Sequence, residues 1–109
     1  MITKAGGDGD ASQAGHAEEL VRLTAWVHGR VQGVGMRWWI RSRALERDLS
    51  GWARNTEDGR VEVVAEGPRE AVQGLLDTLR EGPRRPGHVT TVTDRWSPAA
   101  GGLSGFVER

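Results

Sequence analysis

Residues 21–49 read VRLTAWVHGRVQGVGMRWWIRSRALERDL, and this stretch holds two different hydrophobic periods with a loop between them. Over residues 21–27 apolar and polar side chains alternate, which predicts a strand with one buried face. After residue 35 apolar side chains recur four apart, which predicts one buried face of a helix over residues 36–48. Residues 29–35 contain three glycines and are expected to form the loop that joins the strand to the helix.

The rest of the chain adds strands and one more amphipathic helix. Five further elements are expected in the order strand, strand, helix, strand and short terminal strand: residues 50–55, 61–65, 71–80, 88–96 and 105–108. Asp58-Gly59 separates the first two of these strands and tolerates the positive φ of a hairpin turn. The order βαββαβ with a short terminal strand predicts an α+β, ferredoxin-like split βαβ sandwich. In that fold two helices cover one face of an antiparallel sheet.

The length of 109 residues predicts a single folded domain. Residues 1–19 are rich in Gly, Ala and Asp and have no apolar period, so we expect a flexible N-terminal tail. The folded domain is expected to span residues 20–109. We expect this domain to be a monomer.

Composition excludes several classes of function. Fifteen basic residues balance fifteen acidic ones, which argues against a nucleic-acid or anionic-membrane partner. The absence of cysteine excludes disulfides, thiol nucleophiles and cysteine-ligated metals. The three histidines lie far apart in sequence, so neither a metal site nor another cofactor is expected. No apolar run approaches the length of a membrane span and no signal-peptide core is evident, so a cytoplasmic protein is expected.

The glycine loop is a candidate anion site, because it leads from a strand into a helix N-terminus. It is not a Walker A loop, since no Lys-Ser/Thr follows, and Trp38 takes the third position of G-x-G-x-x-G. Arg37 lies in the first helical turn, where its guanidinium can reach two oxygens of one phosphate. A tight turn beside a surface arginine is the alternative interpretation of the same residues.

Asn55 is a second candidate, because it ends a strand just before a turn. An asparagine in that place either caps the turn with its side chain or positions a water molecule. The residues alone leave both interpretations open, and they do not prove that Asn55 and Arg37 meet.

Two linked motifs carry a family resemblance. Residues 27–37, VHGRVQGVGMR, resemble the acylphosphatase signature, which is roughly V-x-G-x-V-Q-G-V-x-F-R. Residues 51–55, GWARN, followed by DGRVE at 58–62, are similar to the second block of that family. The match covers residues 21–109. It implies hydrolysis of the carboxyl–phosphate bond of a small-molecule acyl phosphate, giving a carboxylate and inorganic phosphate.

The resemblance also implies roles for individual residues. Arg37 would bind the phosphate as a bidentate cation, and Asn55 would hold the attacking water. Neither a metal nor another cofactor is implied. Backbone amides would hold the phosphate oxygens at six positions: Gly29, Arg30, Val31, Gln32, Gly33 and Val34.

This sequence departs from the family pattern at a few positions outside Arg37 and Asn55. Met36 replaces a phenylalanine, and Asp48 stands where glycine is frequent, which predicts a strained helix end. A non-catalytic phosphate- or ligand-binding regulatory module of ferredoxin-like fold stays open as an alternative function. An RNA-binding module is opposed by the neutral net charge and by Glu62 and Glu66 on the sheet.

Overall fold

The computed structural model describes residues 19–85 and 87–109. Its elements, in chain order, are β1 (Leu20–Arg30), α1 (Met36–Leu45), β2 (Ser50–Asn55), β3 (Val61–Pro68), α2 (Arg69–Glu81), β4 (His88–Pro98) and β5 (Phe106–Glu108). This order confirms the predicted βαββαβ arrangement with a short terminal strand. The expected tail, residues 1–19, lies outside the described residues except for Glu19, so the domain boundary stays a prediction.

The five strands form one sheet in the order β4-β1-β3-β2-β5. The four long strands pair antiparallel, as predicted, but β5 pairs parallel to β2, so the sheet as a whole is mixed. β5 pairs parallel because the chain crosses the sheet after β4 before it adds this edge strand. As a result β1, β2 and β5 run in the same direction and finish at the same end of the sheet.

The core follows the two hydrophobic periods of the sequence. Alternate residues of β1 are fully buried: Val21, Leu23, Ala25 and Val27. The buried face of α1 holds Met36, Ile40 and Ala44, and that of α2 holds Val72, Leu75, Leu76 and Leu79. All of these side chains belong to one cluster with inward residues of β3 and Phe106 of β5. Both helices therefore cover the same face of the sheet, as the fold prediction required.

Glu66 holds the connection that carries the chain from β4 to β5. Its carboxylate is buried and accepts hydrogen bonds from the amides of Ala100 (2.9 Å) and Gly101 (3.1 Å) and from Nε of Arg22 (2.5 Å). Burial raises the pKa of Glu66, but these hydrogen bonds outweigh it and lower the pKa below its ordinary 4.5. The ionised carboxylate thus keeps the connection against the sheet and so helps to place β5.

Helix α1 ends at Leu45, three residues earlier than predicted, because residues 46–48 form a turn. The amides of Asp48 and Leu49 donate to the carbonyls of Leu45 (3.1 Å) and Ala44 (3.1 Å), which is the Schellman pattern. This pattern requires a left-handed residue at its turn, and Asp48 has φ 56°. It is the one non-glycine residue with positive φ in the described part of the chain. The predicted strain at this helix end is therefore confirmed.

Replacing Asp48 with glycine is expected to stabilise the protein by about 1 kcal/mol, since glycine adopts a left-handed conformation without steric cost. The measurement is the free energy of unfolding in urea. As a matched control, Asp77→Gly on the exposed face of α2 is expected to destabilise by about 1 kcal/mol. A lower unfolding free energy for Asp48→Gly would contradict the strain at residue 48.

Candidate active site

The candidate site lies at the end of the sheet where β1, β2 and β5 finish. Residues 31–35 leave β1 there and lead directly into α1, so the N-terminus of this helix lies at the same end. Arg37 stands in the first turn of α1, and Asn55 is the last residue of β2. The topology therefore brings the two side chains that the sequence singled out to one end of the molecule.

The predicted phosphate-binding backbone is divided between a strand end and a loop. β1 continues through Gly29 and Arg30, which pair with Val89 and His88 of β4 after a bulge at residues 28 and 29. The irregular segment starts at Val31, whose side chain is buried, and ends at Gly35. Of the six positions predicted to offer amides, Val31, Gln32, Gly33 and Val34 thus lie in the loop itself.

The N-terminus of α1 is open to an anion. Its capping residue is Gly35, in a left-handed conformation with φ 83°, and no side chain of the described residues caps the helix. The first turn also contains no acidic residue. The amides of this turn therefore point their positive ends outward without a side-chain partner, which is the arrangement that binds phosphate at helix N-termini.

Arg37 is half-buried and contacts a main-chain oxygen rather than an acidic side chain. Its Nη1 donates a hydrogen bond of 2.6 Å to the main-chain oxygen of Arg109. The amide of Arg109 in turn donates to the carbonyl of Ala53 in β2, at 2.8 Å. No ion pair between Arg37 and a carboxylate side chain occurs among residues 19–85 and 87–109. Its positive charge is thus oriented without being neutralised by an acidic side chain.

Asn55 presents an unsatisfied amide oxygen. Its Oδ1 is buried and has no hydrogen-bond partner among the described residues. A buried acceptor without a partner costs about 1–3 kcal/mol, so such an oxygen calls for a donor from water or from a ligand. The turn after Asn55 is instead capped by Thr56, whose Oγ1 accepts from the amide of Arg60 at 3.1 Å. The turn-capping interpretation of Asn55 therefore fails at Oδ1.

One side chain at this end makes contacts that the sequence did not predict. Gln32 was expected to contribute only its backbone amide, but its Nε2 donates to the carbonyls of Thr56 and Arg60, each at 2.7 Å. The contacts span 24 and 28 residues, so no local pattern in the sequence indicates them. They tie the loop to the turn that follows Asn55.

The remainder of α1 supports Arg37 in a way that periodicity alone does not predict. Arg41, one turn further along, donates from its Nε to the carbonyl of Phe106 at 2.9 Å. Both arginines therefore contact the β5 end of the chain. Of the two bulky residues that follow Arg37, Trp39 packs partly against the core, whereas Trp38 is 60% exposed.

Within residues 19–85 and 87–109, no group of three or more His, Cys, Asp or Glu side chains could hold a metal ion. In the same residues, neither helix has the length and the apolar character needed to span a bilayer.

Comparison with known proteins gives a consistent result. A protein-family model described as acylphosphatase matches residues 23–107. The chain is 62% identical over 94 residues to an acylphosphatase of Nocardia farcinica, covering 86% of this chain and 93% of the relative. It is 64% identical over 92 residues to one of Acidothermus cellulolyticus, covering 83% and 88%. The crystal structure of acylphosphatase from Bacillus subtilis superposes with a TM-score of 0.76 at 36% identity, covering 82% of this chain and 98% of that one.

The close approach of β1 and β4 at the base of the loop gives a stability prediction. A Cβ on Gly29 would lie 2.2 Å from the carbonyl oxygen of His88, and the φ of Gly29 is 133°. Gly29→Ala is therefore expected to destabilise by about 2–3 kcal/mol. Gly33→Ala is the control: its φ is 72° but nothing lies within 4 Å of the added carbon, so a loss of about 1 kcal/mol is expected. Equal losses in urea unfolding would show that the contact with β4 is unimportant.

Proposed function

The chain belongs to the acylphosphatase family, and from that membership we propose that the loop, Arg37 and Asn55 together hydrolyse an acyl phosphate. It is a hydrolase of acyl phosphates, like the relatives that it matches over most of its length.

One observation carries the proposal. The buried Oδ1 of Asn55 has no hydrogen-bond partner among the described residues, at the end of the sheet that also holds Arg37 and the open helix N-terminus. A fold tolerates such an oxygen where a bound group satisfies it. The water that attacks a phosphoryl group is a suitable donor.

The phosphoryl group would be bound by backbone amides of the loop and by Arg37. Both are positive partners, and a planar guanidinium matches two phosphate oxygens at once. The hydrogen bond from Arg37 to Arg109 uses one nitrogen, Nη1, and fixes the plane of the fork. The unused N–H groups can then meet phosphate oxygens with little loss of side-chain entropy.

Water would attack phosphorus opposite the acyl oxygen. Asn55 Oδ1 would accept a hydrogen bond from one O–H of that water. This hydrogen bond would direct a lone pair of the water oxygen at phosphorus. As the new P–O bond forms, the bond to the acyl oxygen breaks and its electron pair leaves with the carboxylate. The proton released by the water goes to a non-bridging phosphate oxygen.

This chemistry requires little beyond positioning. The leaving group is a carboxylate whose conjugate acid has a pKa of about 4, so it departs without a general acid. A loose phosphoryl-transfer transition state needs mainly alignment and charge stabilisation. A resident metal is therefore not needed for the mechanism.

The cytoplasm as the compartment, a monomeric unit and the absence of nucleic-acid and membrane partners stay predictions from the sequence.

Removing Arg37 tests the phosphate-binding assignment. Arg37→Ala is expected to lower kcat/KM for benzoyl phosphate by about 10³-fold or more, by analogy with catalytic arginines in phosphoryl transfer. Arg37→Lys is expected to fail as well, because a point charge cannot reproduce the fork. The assay is initial-rate hydrolysis in excess EDTA, with Arg95→Ala on β4 as the matched arginine control. Full activity of Arg37→Lys would contradict bidentate binding.

Removing Asn55 separates the water from the phosphate. Asn55→Ala is expected to lower kcat strongly while the inhibition constant of inorganic phosphate stays nearly unchanged, because the loop and Arg37 remain. A weakened phosphate affinity with an intact kcat would reverse the assignment of Asn55. Phosphate binding by folded wild type without turnover would instead support the non-catalytic, ligand-binding regulatory module.

A further inference from the structure

We propose that Gln32 is a positioning residue that aligns the attacking water with the phosphorus by tying the loop to the segment that carries Asn55. The inference rests on the proposed function. It goes beyond the backbone role expected for this residue, because it assigns a separate task to the side chain.

Both N–H groups of the Gln32 amide are committed to the turn between β2 and β3. Nε2 lies 2.7 Å from the carbonyl oxygen of Thr56 and 2.7 Å from that of Arg60. Thr56 follows Asn55 directly, and Arg60 precedes the first residue of β3. Because its two donors are used within the protein, the amide nitrogen of Gln32 has none left for the substrate. It acts on the reaction through main chain.

The turn does not need Gln32 in order to close. The amide of Thr56 donates to the carbonyl of Arg60 at 2.9 Å, and the amide of Arg60 donates to Thr56 Oγ1 at 3.1 Å. The hairpin is therefore complete within its own residues. What the side chain of Gln32 adds is a connection between two segments, the loop at residues 31–35 and the turn at residues 56–60. It is the one such side-chain hydrogen-bonded link in the described part of the chain.

This connection matters because the two reacting groups are held by different segments. The loop would place the phosphorus, whereas Asn55 at the end of β2 would place the water. In-line attack requires the water oxygen and the phosphorus to be held at a fixed distance and angle. A displacement of about 1 Å can lower the rate by about 10²-fold. A side-chain amide that makes two short hydrogen bonds between the segments restricts that displacement. Without this link, the loop would still bind the phosphate and Asn55 would still bind the water, but the distance between the water and the phosphorus would vary more.

Three substitutions remove the link in different ways. Gln32→Ala removes the side chain, Gln32→Met keeps its length without donors, and Gln32→Glu turns acceptors towards two carbonyl oxygens. Each is expected to lower kcat for benzoyl phosphate by about 10- to 100-fold, with rates normalised to the folded fraction. The inhibition constant of inorganic phosphate is expected to change less than about threefold, because the phosphate-binding groups remain. Gln73→Ala is the matched control, since Gln73 on the exposed face of α2 donates to Asp77 of its own helix, at 2.9 Å. The kcat of this variant is expected to be unchanged.

The decisive measurement combines Gln32→Met with Asn55→Ala. If Gln32 acts by placing Asn55, the double variant is expected to have nearly the kcat of Asn55→Ala alone, since there is no longer a water-holding group to position. Two reductions that multiply would overturn the inference and leave the proposed function intact. A kcat that stays at the wild-type value in all three Gln32 variants, with only a lower unfolding midpoint, would also overturn it. Full activity of Asn55→Ala would refute the proposed function itself, and the inference with it.

Discussion

The position of the loop and of α1 depends on a close approach between the backbones of two strands. At Gly29 the last part of β1 passes so near to β4 that a Cβ would lie 2.2 Å from the carbonyl oxygen of His88. Only a residue without a side chain permits this approach, and the sheet register shifts there by a bulge. One residue later, after Arg30, the chain leaves the sheet, forms the loop and enters α1. The position of the helix N-terminus, and of Arg37 in its first turn, follows from where that departure occurs.

Arg37 is not among the six described arginines that form an ion pair with an acidic side chain. Six ion pairs occur among the described residues: Arg22–Glu66, Arg43–Glu46, Arg54–Glu62, Arg60–Asp58, Arg69–Glu19 and Arg80–Asp94. Arg37 instead donates to a main-chain oxygen, which orients it but leaves its charge uncompensated by an acidic side chain. A protein with zero formal net charge can therefore still present a local cation for a phosphate.

Local periodicity in the sequence predicted the elements and the core because buried faces repeat with the period of the element that carries them. Asp48 was also predicted correctly as a strained helix end, since a turn of this kind has a steric requirement at a single position. The parallel pairing of β5, the contact of Arg41 with Phe106 and the side-chain link of Gln32 were not predicted. Each of these joins segments far apart in the chain, where adjacency depends on the whole topology rather than on neighbouring residues.

Two locally unfavourable features of the fold, the strained Asp48 and the unpartnered Oδ1 of Asn55, differ in their consequence for function. The left-handed Asp48 lies at the end of α1 remote from the loop, so this strain is only a loss of stability. The unpartnered Oδ1 of Asn55 is also unfavourable in the folded chain, but it lies where a water must be held. A binding group that the protein satisfied internally would have to break that bond before it could hold substrate or water. An oxygen without an internal partner must still be held in place. The link from Gln32 does this, because it fixes the main chain beside Asn55 while leaving the Asn55 oxygen free. This position thus requires both a fixed main chain and a side-chain oxygen that is free to accept a hydrogen bond. Different residues supply the two: Gln32 holds the main chain, and Asn55 offers the oxygen.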